Sequence, residues 1–503
     1  MKRLSASALR AFLPWKVWLP IVLVVLTLDC SFDAFFWQIP RVREIPESGF
    51  SEADWGYRIS LERRRLMQPK PTGSARVLAF GSSVSGAFDP HQVQGLVQAH
   101  RPSSRAEVRR LNLPGIQPSE FRLVFESEPM PDPDVTVILF NLLDMLHPAP
   151  EYFLNPVLPY AAPPIALWRA KRDHLGIGDQ LELGLSQLSN LYRYRKQIRS
   201  CIRNHTSTGL RWLLAPAPPG AWGIHADGHT ERRFALEAQG RAPFRFEYFI
   251  DPEWISQRGR VQLEFRSDGE PLVTRIESEP GWKSLELELA SPPARVEVSA
   301  DSVWNPRAGG ASDDLRLLGV KLKAVPSRSE TAGAQPYRYP LAEEGDIEPK
   351  LRIGGKRGGE ADRAWDEQFQ ANTHSGRRMR RFRDDKLARR DEPFVVDGEY
   401  LAIQKLVMSF RERGSKVLLV NTPDNPRILG LYANGPYYRG YLDFFRSLAE
   451  DPGVEFYDWS AALPAEDFND GHHVNYVGVI KLGRAFAEMV ERALPEVRGE
   501  APK

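Results

Sequence analysis

Residues 75–90, ARVLAFGSSVSGAFDP, decide how the chain is read. ARVLAF is a short apolar run of the kind buried on both faces of a parallel sheet. Gly81-Ser82-Ser83 then allows a sharp turn, and Asp89-Pro90 opens a helix, an acidic cap followed by proline. Strand, tight turn and helix in immediate succession form the first unit of an α/β sheet, in which ligands gather beyond the carboxyl ends of the strands. A serine just past that turn is well placed to be a nucleophile. Alone, the segment reads equally well as a polar loop whose serines cap the helix, so a base elsewhere in the chain must decide.

The same alternation continues on both sides of a long interruption. EVRRLNL and the strongly apolar DVTVILF read as a second and a third strand, with FRLVFES as a helix between them. A helical stretch follows from Leu175 to Arg203. From about 206 to 325 the pattern changes to short alternating segments, among them FRFEYFI, VQLEFRS, SLELELA, ARVEVSA and LLGVKLK, parted by Gly, Pro, Asp and Ser. That is the signature of a β-sandwich or jelly roll. Residues 326–392 are rich in Pro, Gly and charge, and the basic run GRRMRRFRDDKLARR at 376–390 reads as a solvated helix or mobile linker. From 393 the α/β rhythm resumes with the helix GEYLAIQKLVMSFRERG, the strand KVLLVN, the helix YYRGYLDFFRSLAE, the strand VEFYDWS and a last helix from Tyr476 to Leu494. The expected divisions are therefore 75–205 and 393–495 as two halves of one doubly wound parallel α/β domain, 206–325 as an inserted β-sandwich, 326–392 as a charged linker and 496–503 as a tail.

The missing base appears between the last strand and the last helix, in FNDGHHVNYVG at 468–478. Asp470 stands three residues before His473, close enough on one loop to bind one imidazole nitrogen and leave the other to take a serine proton. His472 and His473 could also ligate a metal with Asp470, but adjacent histidines point in different directions, and no further Cys, His or Asp cluster stands at ligand spacing. The expectation is no metal and no cofactor.

The pair GSSVSGAFDP at 81–90 and DGHHVNYVG at 470–478 resembles the SGNH or GDSL-like hydrolase superfamily. The resemblance implies a flavodoxin-like three-layer domain with Ser83 as nucleophile and Asp470 and His473 completing the triad. It further implies an oxyanion hole built from Ser83, Gly115 and Asn141. Two positions depart from the family pattern: Ser82 replaces the usual Asp, and Asn141 lacks the Gly that normally precedes it by two residues. The Ser82 variant is similar to a membrane-tethered branch that includes periplasmic proteins of alginate acetylation and the D-alanylation protein of teichoic acids, which move acyl groups on envelope polymers beside a multi-pass membrane acyltransferase.

The N-terminus fits that company. Lys2, Arg3, Arg10 and Lys16 flank the run VWLPIVLVVLTL at 17–28, which taken from Ala11 is about long enough to cross a bilayer. Asp29 before Cys30 spoils a lipoprotein site, and Phe32 and Asp29 occupy the positions two before the small residues Ala34 and Ser31. An uncleaved transmembrane signal anchor in residues 1–40 is expected, with a spacer at 41–74, the N-terminus in the cytoplasm and all else outside. Lys plus Arg number 67 against 65 for Asp plus Glu, so no net field steers the chain onto nucleic acid. Cys30 and Cys201 can form at most one bridge. Trp222, Trp254, Trp282 and Trp304 in the β-rich block would serve a carbohydrate-binding module if surface-clustered, and would otherwise be core. The function expected is an extracytoplasmic serine esterase or O-acyltransferase acting on acyl, chiefly acetyl, esters of a cell-envelope or exported polysaccharide. The alternative is a catalytically degenerate scaffold of an envelope polysaccharide assembly.

Overall fold

The computed structural model describes residues 15–35, 59–60, 62–70, 73–101, 106–127, 132–146, 153–195, 222–224, 229–238, 244–267, 270–289, 294–304, 318–323, 358–372 and 374–495. The chain groups into two compact units, residues 1–61 with 150–215 and residues 62–149 with 216–503. In chain order the main helices are α1 (Trp15–Phe35), α2 (Pro90–His100), α3 (Pro118–Glu126), α4 (Leu142–Leu146), α5 (Ile177–Leu188), α6 (Pro252–Arg258), α7 (Gly358–Gln370), α8 (His374–Ala388), α9 (Gly398–Glu412), α10 (Pro426–Tyr432), α11 (Pro436–Leu448) and α12 (Tyr476–Ala493).

The first unit differs from the expected boundaries, since 150–205 joins the N-terminal segment and not the α/β domain. The cause lies in long-range contacts that no local pattern announces. Asp29 of α1 accepts hydrogen bonds from Ser189 Oγ (2.9 Å) and Leu191 N (2.7 Å), the rings of Phe32 and Tyr194 stack at 5.4 Å, and Tyr194 donates to Ser60 Oγ at 2.8 Å. Helix α1 covers the apolar run read above. Among the described residues no helix is long and apolar enough to cross a membrane, so the expected transmembrane span gains no support from the fold.

The second unit holds a five-stranded parallel sheet made of β1 (Ala75–Gly81), β2 (Ala106–Asn112), β3 (Val135–Phe140), β12 (Lys416–Asn421) and β13 (Val454–Asp458), in the order β13-β12-β3-β1-β2. Alternate strand residues serve opposite faces. Val77, Ala79, Val137, Leu139, Leu418 and Val420 pack beneath α2 and α12 with Val93, Leu96, Leu482 and Phe486. On the other face Phe80 meets Phe121 and Phe125 of α3 and Phe410 of α9 at 4.4 to 5.7 Å, and Phe140 stacks on Phe445 of α11 at 4.1 Å. The strand order reverses direction between β1 and β3, and that switch point is where open α/β sheets bind ligands.

The β-rich block forms two antiparallel sheets that share one core. One sheet runs β4 (Trp222–Ile224), β5 (Thr230–Ala238), β10 (Ala294–Ala300), β7 (Val261–Ser267), β8 (Glu270–Glu277), and the other runs β11 (Lys321–Leu322), β6 (Phe244–Ile250), β9 (Gly281–Leu287). Phe234, Val261, Phe265 and Val298 from the first sheet face Phe246, Tyr248, Leu285 and Leu287 from the second in one core. Trp254 and Trp304 are buried in that core, Trp282 is exposed beside Phe249, and the side chain of Trp222 lies outside the described residues. The described tryptophans are therefore not a surface cluster. The sandwich is fastened to the α/β domain by α6, whose Arg258 is buried against Asp89 at the start of α2. Gln92 of α2 donates through Nε2 to Gln257 O (2.6 Å) and Ile480 O (2.9 Å). At the same seam Gly95 and Gly259 touch backbone to backbone, and a Cβ on either would overlap the other's segment. Gly259, at φ +75°, also needs the left-handed conformation that glycine tolerates.

The charged linker is corrected in part. Residues 324–357 lie outside the described residues, but 358–370 and 374–388 form α7 and α8, which bury Trp365, Met379 and Lys386. Helix α8 packs on α4 and α10.

Candidate active site

Gly81 ends β1 with no room for a side chain, because a Cβ there would overlap the carbonyl oxygen of Leu139 on β3. The glycine thus brings the two central strands together at their carboxyl ends. Past it Ser82 is extended (φ −65°, ψ −160°) and Ser83–Ala87 form one 3-10 turn. That turn is pinned by Ser85, which is wholly buried and donates through Oγ to Ser82 O at 2.8 Å while its N–H reaches the same oxygen at 3.0 Å. Ser82 makes no side-chain cap, and α2 is capped instead by Asp89, which accepts from His91 N and Gln92 N. The serines of the turn are thereby free of the capping role.

The second loop is closed at its base by an antiparallel bridge between Phe468 and Val474 and by Asn469 N donating to His473 O at 2.7 Å. Within it Asp470 Oδ1 accepts from the backbone N–H groups of His472 (3.0 Å) and His473 (2.8 Å). This turn fixes the carboxylate so that Oδ2 meets His473 Nδ1 at 2.7 Å, and His473 Nε2 lies 2.8 Å from Ser83 Oγ. Asn475, buried, caps α12 by accepting from Gly478 N at 3.1 Å and donates to Glu466 O at 2.7 Å, which anchors the loop's exit. Ser83, Asp470 and His473, named from the sequence, are all brought together. Burial alone would raise the Asp470 carboxyl, but the charges of His473 and His472 and the hydrogen bonds from both residues hold it well below the usual carboxylate range. It therefore stays anionic, and His473 presents Nε2 to the serine.

Asn141, at the end of β3, is 1% exposed. Its Oδ1 accepts from Asp144 N (3.3 Å) and its N–H donates to Asp144 Oδ2 (3.0 Å), so it does cap α4. Its Nδ2 has no hydrogen-bond partner among the described residues. Helix capping occupies the oxygen of this side chain and leaves its amide nitrogen available. An unpaired buried donor costs about 1–3 kcal/mol, a cost that an incoming oxyanion would remove. Gly115 is exposed at φ +72° in a turn tied to the nucleophile strand by Leu113 N donating to Gly81 O at 3.0 Å.

Three residues of the site were not read from the sequence. Asp144 lies near Ser82, and burial pushes its carboxyl up to about 6, opposed by the neighbouring Ser82 hydroxyl, the hydrogen bond from the Asn141 N–H and the charges of Lys386 and His473. Its one sequence signal was the Asn141-x-x-Asp144 spacing of a capped helix start. Lys386 of α8 is 1% exposed and bidentate to Asp424 at 2.7 and 2.8 Å, and Tyr432 donates to the same carboxylate. Phe382, also on α8, sets its ring edge-on to that of His472 at 4.6 Å. The segment read as linker therefore backs the loop that carries Asp470 and His473. Asp470, His472 and His473 offer atoms within 4.8 Å of one another as a metal site would, but both ring nitrogens of His473 are engaged in the Ser83–His473–Asp470 chain.

A serine, an imidazole and a carboxylate thus stand in hydrogen-bonded series at the switch point of a parallel sheet. A family model matches residues 163–495, and the chain belongs to that family, which is uncharacterised. The chain is 24% identical over 516 residues to an uncharacterized protein of Leptospira interrogans serogroup Icterohaemorrhagiae serovar Lai (strain 56601), over 93% of this chain and 92% of that one. Among solved structures it is similar to an acetyl xylan esterase (Est2A) from the rumen bacterium Butyrivibrio proteoclasticus, with 11% identity, a TM-score of 0.14 and coverage of 54% of this chain and 93% of that one. A likeness of that size carries no argument, and the reading of the site rests on its own geometry.

Proposed function

We propose that this protein is an SGNH-like serine esterase or O-acyltransferase acting on acyl, chiefly acetyl, esters of a cell-envelope or exported polysaccharide, held at the outer face of the cytoplasmic membrane by its N-terminal helix. The observation that carries the reading is the unbroken series Asp470 Oδ2, His473 Nδ1, His473 Nε2, Ser83 Oγ, with links of 2.7 and 2.8 Å between residues 390 apart in sequence. The unpartnered Asn141 amide at the neighbouring strand end supports it.

In this reading Ser83 Oγ attacks the acyl carbonyl as its proton passes to His473 Nε2, and Asp470 stabilises the imidazolium. Charge forming on the carbonyl oxygen is met by Asn141 Nδ2 and the Ser83 N–H, donors worth several kcal/mol when preorganised. His473 then protonates the departing sugar hydroxyl. The acyl-Ser83 intermediate is released to water in an esterase or to a second sugar hydroxyl in a transferase, whose acyl supply would come from a multi-pass membrane partner. Ser82, where the family has Asp, faces the Asp144 carboxylate, so the acidic group missing at position 82 is supplied from α4.

The test is hydrolysis of a small acetyl ester by the purified full chain. Ser83→Ala and His473→Ala should each lower kcat by roughly 10³-fold or more, with the double variant hardly worse than either alone. His472→Ala should cost little unless a metal is involved, in which case chelators would also inhibit. A Ser83→Ala chain with full activity would remove the nucleophile and leave a binding scaffold in its place.

A further inference from the structure

Helix α5 packs inside out. Its large apolar residues Ile177, Leu181, Leu185 and Leu188 are 79, 61, 43 and 81% exposed, while the residues it buries are Leu183 and Ser186. At 3.6 residues per turn the four exposed aliphatics fall within an arc of about 80°, with Leu183 and Ser186 on the far side. A helix in water turns such a stripe toward the protein, and one that turns it outward has a non-aqueous partner.

The partner's chemistry is indicated by α1 of the same unit. Leu19, Val22, Leu23, Val24, Val25, Leu26 and Leu28 are each about half exposed, again aliphatic and without a hydrogen-bonding group. The two surfaces meet at one place. Asp29, which follows Leu28, accepts from Ser189 and Leu191, which follow Leu188. The end of the apolar run of α1 is thereby clamped to the end of the apolar stripe of α5. A protein groove would ask for polar rim contacts around each helix, whereas a continuous aliphatic surface spread over two helices asks for acyl chains.

We infer that α5 is an in-plane membrane helix, its stripe of Ile177, Leu181, Leu185 and Leu188 lying among lipid acyl chains where α1 leaves the bilayer. This rests on the membrane placement proposed above and adds to it a second contact, which fixes the rotation of the unit about α1 and not merely its tether. The stripe is uncharged, so the contact does not require anionic lipid.

The experiment uses the full chain with Cys30→Ser and Cys201→Ser, reconstituted in phosphatidylcholine vesicles, with an environment-sensitive fluorophore on Leu185→Cys. A second preparation is labelled at Asp391→Cys, an 85% exposed side chain of the other unit. Nitroxide carried on lipid acyl chains should quench the label at 185 at least twofold and leave that at 391 unchanged, and aqueous iodide should do the reverse. High salt should alter neither result. Adding Leu181→Glu and Leu188→Glu, both at exposed positions, should restore iodide access at 185. If the chain floats with the vesicles but iodide reaches both labels equally, the in-plane contact is wrong and the anchor stands. Energy transfer between labelled copies at 185 without lipid quenching would assign the face to a second copy and overturn the lipid assignment. A chain that does not float overturns the contact and the membrane placement together.

Discussion

At the scale of single residues the site balances two carboxylates of opposite tendency. Asp470 is held well below the ordinary carboxylate range, so its ion pair adds stability above about pH 4, and that stability is lost as pH falls through the lowered value. Asp144, pushed up to about 6, does the opposite. Its ionisation costs stability that is absent below about pH 4, grows between there and pH 6, and is constant above. Asp144→Asn should therefore raise the thermal midpoint at pH 8 but not at pH 4, by the equivalent of roughly 3 kcal/mol, while slowing ester hydrolysis through loss of the charge beside Ser82. Equal midpoint changes at both pH values would dispose of this account. The triad was legible in the sequence because an Asp three residues before a His, and a serine after a strand-ending glycine, are local spacings. Asp144 and Lys386 were not legible, since their partners Ser82 and Asp424 become neighbours only when separate strand ends converge.

At the scale of elements the decisive seam is where α2 meets α6. Arg258 is 4% exposed with Asp89 as its counter-ion, and Asp89 also caps α2. Asp89→Ala would remove the carboxylate that faces the buried Arg258 guanidinium and uncap two amide groups, a loss on the order of 3 kcal/mol, readable as a fall in the denaturant midpoint. Gly95→Ala, by forcing backbones apart at Arg258, should cost about 1–3 kcal/mol with the catalytic loop unaltered. Alternation of polar and apolar residues marked most strands of the sandwich in the sequence, but α6 interrupts that pattern for only two turns and carries the docking contacts. The burial of α8 was not legible for a related reason. Its composition is that of a solvated run, and the residues it buries, Met379 and Lys386, include a lysine that pairs with an aspartate 38 residues later.

At the scale of the molecule the sandwich owns its core, since both of its sheets fill it from within. Expressed alone, residues 206–325 should give a β-rich circular-dichroism spectrum and a cooperative thermal transition. A featureless spectrum would mean that the contact with α2 is a condition of its folding. The sequence placed the two halves of the parallel sheet correctly because their strands are apolar and regularly spaced. It misassigned residues 150–205, whose helices bond to α1 through Asp29 and Tyr194 and carry no mark of that allegiance.

The strand order has a consequence for how the protein is made. Strands β1, β2 and β3 are made before β12 and β13, and the next strand to pair with the fully buried β3 is β12. At about 5–20 residues per second the intervening stretch takes tens of seconds to synthesise. Throughout that interval β3 is an open edge, the kind that recruits other chains. Asp470 and His473 follow β13 in the chain, so Ser83 can meet His473 only after every strand of the parallel sheet has been made.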